Sequence, residues 1–415
     1  MKIFFKDIPE KYWVVADQVV VSASAFGTNL LLARALGLTE YGKFSIITMV
    51  QLFLLSVTMA FSSQIYQVVY PALNRSKKKK FTSGMLGQQL LIALVLLAFI
   101  PLLYAINIGT GWLDNYKVLM SMAIVATCFY LLQDFLRRVF IAQAKGRSAF
   151  IIDLLTNFLQ IALLLAFWWL HNLNLVTAWL IIGFTFIPSV ITAIILLKPV
   201  QVSISAISYA WGLQKNKMGW LMGSSVLQWG AGYFFVIAAG WFLGVAALGA
   251  LRLAQYMFGL LNLLFQAIEN YVVPKASTFI GEQRAYWLVL LKKCVTLIIP
   301  FVLVLSLFAK QIMQFAGGQA YGKYAFVIYG LSIVYLLMAV GYPVRIAIRS
   351  LHLNKEYFFA YIFSVILNLC IAPWLLKHLE LYGVMAGLIS NQVLIVGYWL
   401  IVLKRKNQFL WKSFI

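Results

Sequence analysis

Four groups of polar residues lie inside otherwise apolar runs, where each could do chemistry in a low dielectric. Arg252, Gln255, Gly259, Asn262, Gln266 and Glu269 follow one another at spacings of 3, 4, 3, 4 and 3. That spacing keeps one helix face and predicts a polar stripe along it. Lipid cannot satisfy such a face, so it either hydrogen-bonds neighbouring helices or, in the reading adopted here, lines a wet central cavity. Tyr335, Tyr342, Arg345 and Arg349 share a face of another run, beside Gly341 and Pro343, which should interrupt the helix. Guanidinium forks pair with phosphate oxygens and phenol rings offer flat apolar contact to pyranose faces, so this group suits a phosphorylated sugar. The alternative is that both arginines are helix-end residues reaching lipid headgroups.

The third group, Asp134 and Arg138 with Arg137 beside them, is spaced for an internal ion pair. The fourth comprises isolated carboxylates: Asp17, on one face with Ser24 and Thr28, and Asp153, early in its run. Asp17, Asp134, Asp153 and Glu269 are candidate sites for a coupling H+ or Na+, the only cofactor expected. Their placement near helix ends, where a carboxylate costs less than the roughly 2.5 to 3.5 kcal/mol of a helix centre, leaves a purely interfacial role open.

The elements that must position these groups are membrane helices. Of 415 residues, 63% are apolar and 11% charged, whereas a soluble domain is nearer half apolar and a quarter charged. A soluble fold is excluded. Apolar runs long enough to cross the ~30 Å hydrocarbon layer recur throughout, and polar breaks divide them into twelve spans, near 13–35, 44–70, 84–106, 117–141, 149–170, 176–197, 218–242, 249–273, 286–309, 323–349, 356–376 and 382–403. The first is too long for a signal-peptide core and lacks a cleavage site. With the N-terminus placed in the cytoplasm, inner segments hold all Lys and Arg except Arg34, Lys43, Lys117, Arg252, Lys310, Lys323 and Lys377. This positive-inside pattern predicts that both termini are cytoplasmic. It also accounts for the formal charge of +22 without nucleic acid, for which no soluble basic domain is available. Trp13, Trp112, Trp168, Trp220, Trp241 and Trp287 fall near span ends, as interfacial anchors do. Cys128, Cys294 and Cys370 each sit in a different apolar run and read as core packing; His171, His352 and His378 fall in expected loops. Neither set has metal-ligand spacing.

The chain also repeats itself. Leu36-Gly37-Leu38-Thr39-Glu40-Tyr41-Gly42 corresponds to Leu243-Gly244-Val245-Ala246-Ala247-Leu248-Gly249 at an offset of 207, and Arg138 corresponds to Arg345 at the same offset. Val68-Val69-Tyr70-Pro71 and Val272-Val273-Pro274 close the second and eighth spans in similar fashion. Three matches at corresponding places argue for duplication: residues 1–197 as an N-terminal six-helix half, 198–217 as a cytoplasmic linker and 218–415 as a C-terminal six-helix half. Six being even, the halves are parallel repeats about an axis along the membrane normal, an arrangement that supports alternating access to a cavity between them.

Ala33-Arg34-Ala35-Leu36-Gly37-Leu38-Thr39-Glu40-Tyr41-Gly42-Lys43-Phe44-Ser45-Ile46-Ile47 resembles the segment joining the first two helices of Wzx-type polysaccharide exporters. These are O-antigen and related flippases of the multidrug/oligosaccharidyl-lipid/polysaccharide (MOP) exporter superfamily. Length, span number, repeat and basic balance agree with it over the whole chain. The resemblance implies an all-α, MATE-like fold of twelve transmembrane helices in two pseudo-symmetric halves, located in a bacterial inner membrane. It implies a substrate, an undecaprenyl-pyrophosphate-linked oligosaccharide; a cavity lined by cationic groups; an ion gradient as driving force; and contacts with membrane lipids and polysaccharide-assembly proteins. The departure is that the membrane arginines lie toward helix ends, which puts the phosphate site in doubt. Other readings are a multidrug or cation antiporter of the same superfamily, a lipid II flippase, which generally has two more helices, and a membrane glycosyltransferase or polymerase. An enzyme of the last kind needs a long external loop with paired acids or arginines, and the first external break holds only Glu40. No enzyme activity is expected.

Overall fold

The computed structural model describes residues 9–110, 116–197, 201–259, 261, 262, 264, 265, 283–351 and 353–405, and all that follows concerns these. They are helical in α1 (Glu10–Thr58), α2 (Gln64–Val69), α3 (Arg75–Thr110), α4 (Lys117–Ala142), α5 (Gly146–Trp169), α6 (Leu175–Leu197), α7 (Ile204–Leu243), α8 (Val245–Met257), α9 (Gln283–Leu307), α10 (Ala309–Gly317), α11 (Phe326–Ser350) and α12 (Asn354–Arg405). Nine helical stretches among the described residues are long and apolar enough to cross a membrane. Two of these merge a pair of expected spans: Tyr12–Ala72, broken at Gly37, and Asn354–Arg405, broken at Glu380. Residues 260, 263 and 266–273 of the expected span 249–273 lie outside the described residues, so the count of twelve stands as a proposal.

Residues 204–217, within the expected linker 198–217, form the first turns of α7, started by Ser203, whose hydroxyl accepts from the Ala206 amide at 3.3 Å. Three features depart from expectation. Pro343 and Gly341 do not interrupt α11, which runs unbroken from Phe326 to Ser350. Proline removes one backbone donor, and packing against α12 keeps the helix in line past it. His378 is helical, with its ring 5.4 Å from that of Trp374; His352 lies outside the described residues. Among the cysteines, Cys128 and Cys294 are buried as expected and Cys370 is exposed on the protein surface, on a helix whose neighbouring residues Ile366 and Leu369 are also exposed. An apolar outer face needs no protein partner when lipid covers it.

The chain divides into two compact units, one of Met1–Leu36 and Ile47–Val226, the other of Gly37–Ile46 and Leu227–Ile415. In the first unit α3, α4, α5 and α6 pack around a buried cluster that includes Tyr66, Phe81, Phe135, Phe140 and Ile152. Its helices are tied by polar staples. The Asn174 carboxamide and the Thr177 hydroxyl bond reciprocally to each other's backbone amide at the start of α6, at 3.0 and 2.8 Å, a capping box built from Asn and Thr. At the start of α5 the Glu10 carboxylate takes the Gly146 amide at 2.5 Å, placing negative charge at a helix N-terminus. Gly84 of α3 meets the Ala206 carbonyl of α7 so closely that a methyl group could not enter.

In the second unit α11 packs on the latter part of α12 in parallel, Gly330 against Met385 and Gly341 against Val396, a constant register of 55 residues. Small residues bring helices together where no water drives association. The loop segment Gly37–Ile46 joins this unit. Gly37 (φ 74°, ψ 177°) and Gly244 (φ 89°, ψ 167°) share a left-handed φ that side chains resist, at the offset of 207. Their followers pack reciprocally: Gly42 against the Val245 carbonyl, and Gly249 against the Leu38 carbonyl and the Gly42 backbone. A Cβ on Gly249 would lie 2.6 Å from Leu38 O and 3.1 Å from Gly42 Cα. Gly249→Val is therefore expected to lower stability by about 1–3 kcal/mol, read as a depressed melting temperature of the purified protein. Gly212→Ala, at a position with nothing within 4 Å, should leave it unchanged.

Candidate functional site

The carboxylates at Asp17, Asp134 and Asp153 are drawn into one buried ionic cluster in the first unit, on α1, α4 and α5. Its hub is Arg137. Nε of Arg137 lies 2.8 Å from Oδ2 of both Asp17 and Asp153; its Nη2 lies 2.8 Å from the same Asp17 oxygen and 3.1 Å from Gln18 Oε1. Gln133 donates to the other Asp153 oxygen at 2.8 Å. Arg138 is paired with Asp134 at 2.7 Å. Asp17 is fully buried and Asp153 nearly so. Two guanidiniums face three carboxylates, and Asp17 Oδ1 is buried without a hydrogen-bond partner among the described residues. Low-dielectric burial makes that surplus negative charge costly unless a cation or proton joins it. Arg137 adjoins the Asp134 and Arg138 pair in sequence, and its position near the end of an expected span is that of any positive-inside residue.

The stripe on the eighth span resolves into separate environments. Arg252 is buried, its guanidinium 4.9 Å and 5.5 Å from the rings of Tyr256 and Tyr233 and bonded to Gln255 Oε1 at 3.0 Å and the Tyr256 hydroxyl at 3.1 Å. Cation–π contact of this kind holds a desolvated guanidinium, and Gln255, part-exposed, is its hydrogen-bond partner one turn along the helix. Asn262 is exposed and donates to the Tyr335 hydroxyl at 3.1 Å. Gln266 and Glu269 lie outside the described residues.

Tyr335, Tyr342, Arg345 and Arg349 keep their shared helix but not a shared environment. Tyr335 is buried, stacked on Phe258 at 4.7 Å. Tyr342 is buried against Phe265, ring centroids 4.5 Å apart, and donates to the Phe265 carbonyl. Arg349 is exposed at the helix end. Arg345 and Tyr342 instead face a cavity of about 240 Å³ within the second unit, between α7, α11 and α12. Tyr361, Trp399, Gln228, Asn391 and Gln392 share its wall. Arg345 is hydrogen-bonded to the Tyr357 phenol, and none of the described residues lining the cavity is acidic. Asn391 is engaged already, accepting from Ser364 and donating to the Ala231 carbonyl at 3.2 Å. The side chains of Gln228 and Gln392 make no hydrogen bond among the described residues. These lining residues on α7 and α12 carry no periodic sequence signal, because each is a single polar position in an apolar helix.

The fold is that of known membrane transporters. It is similar to an inward-facing multidrug resistance MATE family transporter of the MOP superfamily, with a TM-score of 0.69 and 13% identity over 95% of this chain and 98% of that one. It is similar also to the lipid II flippase MurJ in an inward closed conformation, with a TM-score of 0.70 and 18% identity over 97% of this chain and 88% of that one. A third likeness is to a MOP superfamily transporter from Pyrococcus furiosus with a binding pocket of reverse polarity, with a TM-score of 0.57 and 14% identity over 96% of both chains. No family model matches the chain, and no curated protein does. The architecture is therefore an all-helical, multi-pass membrane fold of the MOP and MATE kind, and at these identities the likeness concerns the fold alone.

Proposed function

We propose that the protein is a flippase that carries an undecaprenyl-pyrophosphate-linked oligosaccharide, an O-antigen or other surface-polysaccharide repeat unit, from the inner to the outer leaflet of a bacterial inner membrane by alternating access. The observation that carries this reading is the Arg345 cavity, a guanidinium among aromatic rings and amides with no acid among the described residues of its wall. Such a wall suits a glycan with an anionic group and repels the organic cations that a multidrug extruder takes. Likeness in fold to MurJ, a lipid II flippase by its description, agrees with a lipid-linked cargo. The matched Gly37 and Gly244 loops agree with two repeated halves. The surplus carboxylate charge around Arg137 is the best candidate for a coupling H+ or Na+. Twelve spans, cytoplasmic termini and contact with polysaccharide-assembly proteins belong to the same proposal.

Deletion of the gene in its own host should abolish surface polysaccharide and accumulate undecaprenyl-linked repeat units on the cytoplasmic leaflet, read by lipid extraction and by accessibility of the glycan to an external lectin. Continued polymer at the surface together with increased sensitivity to cationic drugs would instead make the protein a multidrug antiporter, the reading favoured by the descriptions of its MATE neighbours.

A further inference from the structure

The Arg345 cavity is small. Binding sites for drug-sized ligands run to roughly 300–1,000 Å³, and this one is about 240 Å³, room for one sugar ring. It lies wholly within the second unit. The wall divides by chemistry into three parts. Arg345 supplies a fixed positive charge, its guanidinium positioned 6.0 Å above the Tyr342 ring and held by Tyr357. Tyr361 and Trp399 are themselves braced: the Tyr361 hydroxyl bonds that of Tyr357 at 3.2 Å, and the Trp399 ring stacks on Tyr357 at 5.3 Å with an angle of 8°. Gln228 and Gln392 stand on different helices, α7 and α12, and contribute amide donors and acceptors not used by the described residues around them.

A lone phosphate needs several cationic or amide donors converging on it and has no use for an aromatic wall. A neutral sugar uses rings and amides and can accept from a guanidinium, but it leaves the fixed positive charge uncompensated. Only a ligand having both parts accounts for the whole wall: hydroxyls for the two glutamines, a flat carbon face for the rings, and an anion for Arg345. We propose that this cavity is a subsite for a single sugar ring bearing an anionic group, either a carboxylate or a phosphate ester. The subsite rests on the flippase reading and narrows it: the carried glycan is acidic, or its first sugar is gripped together with the phosphate that links it to the lipid.

The test uses purified full-length protein in detergent and saturation-transfer-difference NMR, suited to weak ligands, with glucuronate, glucose 1-phosphate, glucose and inorganic phosphate as probes. At least one of the two anionic sugars should give a saturable signal at least tenfold stronger in affinity than glucose. Which of the two binds better tells whether carboxylate or phosphate ester is the native anion. Arg345→Gln should remove that advantage, and Gln392→Ala, a substitution that breaks no hydrogen bond among the described residues, should weaken binding about fivefold. Glucose binding as well as glucuronate and glucose 1-phosphate would overturn the anionic requirement, inorganic phosphate competing as well as glucose 1-phosphate would overturn the sugar requirement, and no binding by any probe would overturn the subsite. The flippase reading fails separately, through normal polysaccharide export in the deletion strain.

Discussion

Arg137→Ala is expected to remove most of the protein from the membrane. The substitution leaves Asp17 and Asp153 buried beside each other with no cation between them, and removing one partner of a buried ionic group costs about 3–5 kcal/mol. That is a large part of the stability of an ordinary domain. The mechanism can be separated from simple loss of packing, because the penalty lies in the stranded carboxylates. Adding Asp17→Asn and Asp153→Asn to Arg137→Ala should therefore restore abundance and melting temperature well above those of the single variant, although three ionic groups are then missing. Arg137→Lys should fall between, since an ammonium keeps the charge but cannot reach two carboxylates and Gln18 with one planar fork. Abundance in isolated membranes and thermal unfolding in detergent are the measurements. Wild-type values for Arg137→Ala would mean that the cluster does not hold the helices α1, α4 and α5 together. If the triple variant is well folded but inactive in export, the same cluster serves coupling as well as structure.

The second large effect concerns Arg345. Arg345→Ala should abolish export at equal membrane abundance, and Arg345→Lys should retain part of it, because charge survives while the bidentate fork is lost. The expected loss is at least tenfold in the rate of polysaccharide appearance, since charge-assisted hydrogen bonds are worth roughly 1.5–3 kcal/mol. Abundance must be scored alongside, given that Arg345 also holds Tyr357. Arg138, its counterpart at the offset of 207, occupies a different setting, with Asp134 2.7 Å from its Nε. Arg138→Ala is accordingly expected to be milder in export than Arg345→Ala. Full export by a normally abundant Arg345→Ala protein would leave this arginine a topological anchor and move the search for the anion site elsewhere.

Much of this protein is written in one dimension. Membrane helices follow from composition because in lipid a backbone can satisfy its polar groups only within its own helix, so apolar runs between polar breaks mark the helices with little competition from other structures. The loops at Gly37 and Gly244 were legible for a similar reason: a left-handed φ all but demands glycine, and the demand is repeated at the same offset. The pairing of Asp134 with Arg138 was likewise local, fixed by one turn of helix. Long-range partnerships were not legible. Asp17, Arg137 and Asp153 belong to three helices, and spacing along the chain says nothing of which side chain enters which interface. Periodicity marked Arg252 through Glu269 as one face, but only packing decided that Tyr233 and Tyr256 would enclose Arg252 while Asn262 stayed exposed. The Arg345 cavity is the clearest case. Its wall comes from α7, α11 and α12, and which polar residue of an apolar helix faces a cavity, a neighbour or the lipid is set by the helices around it.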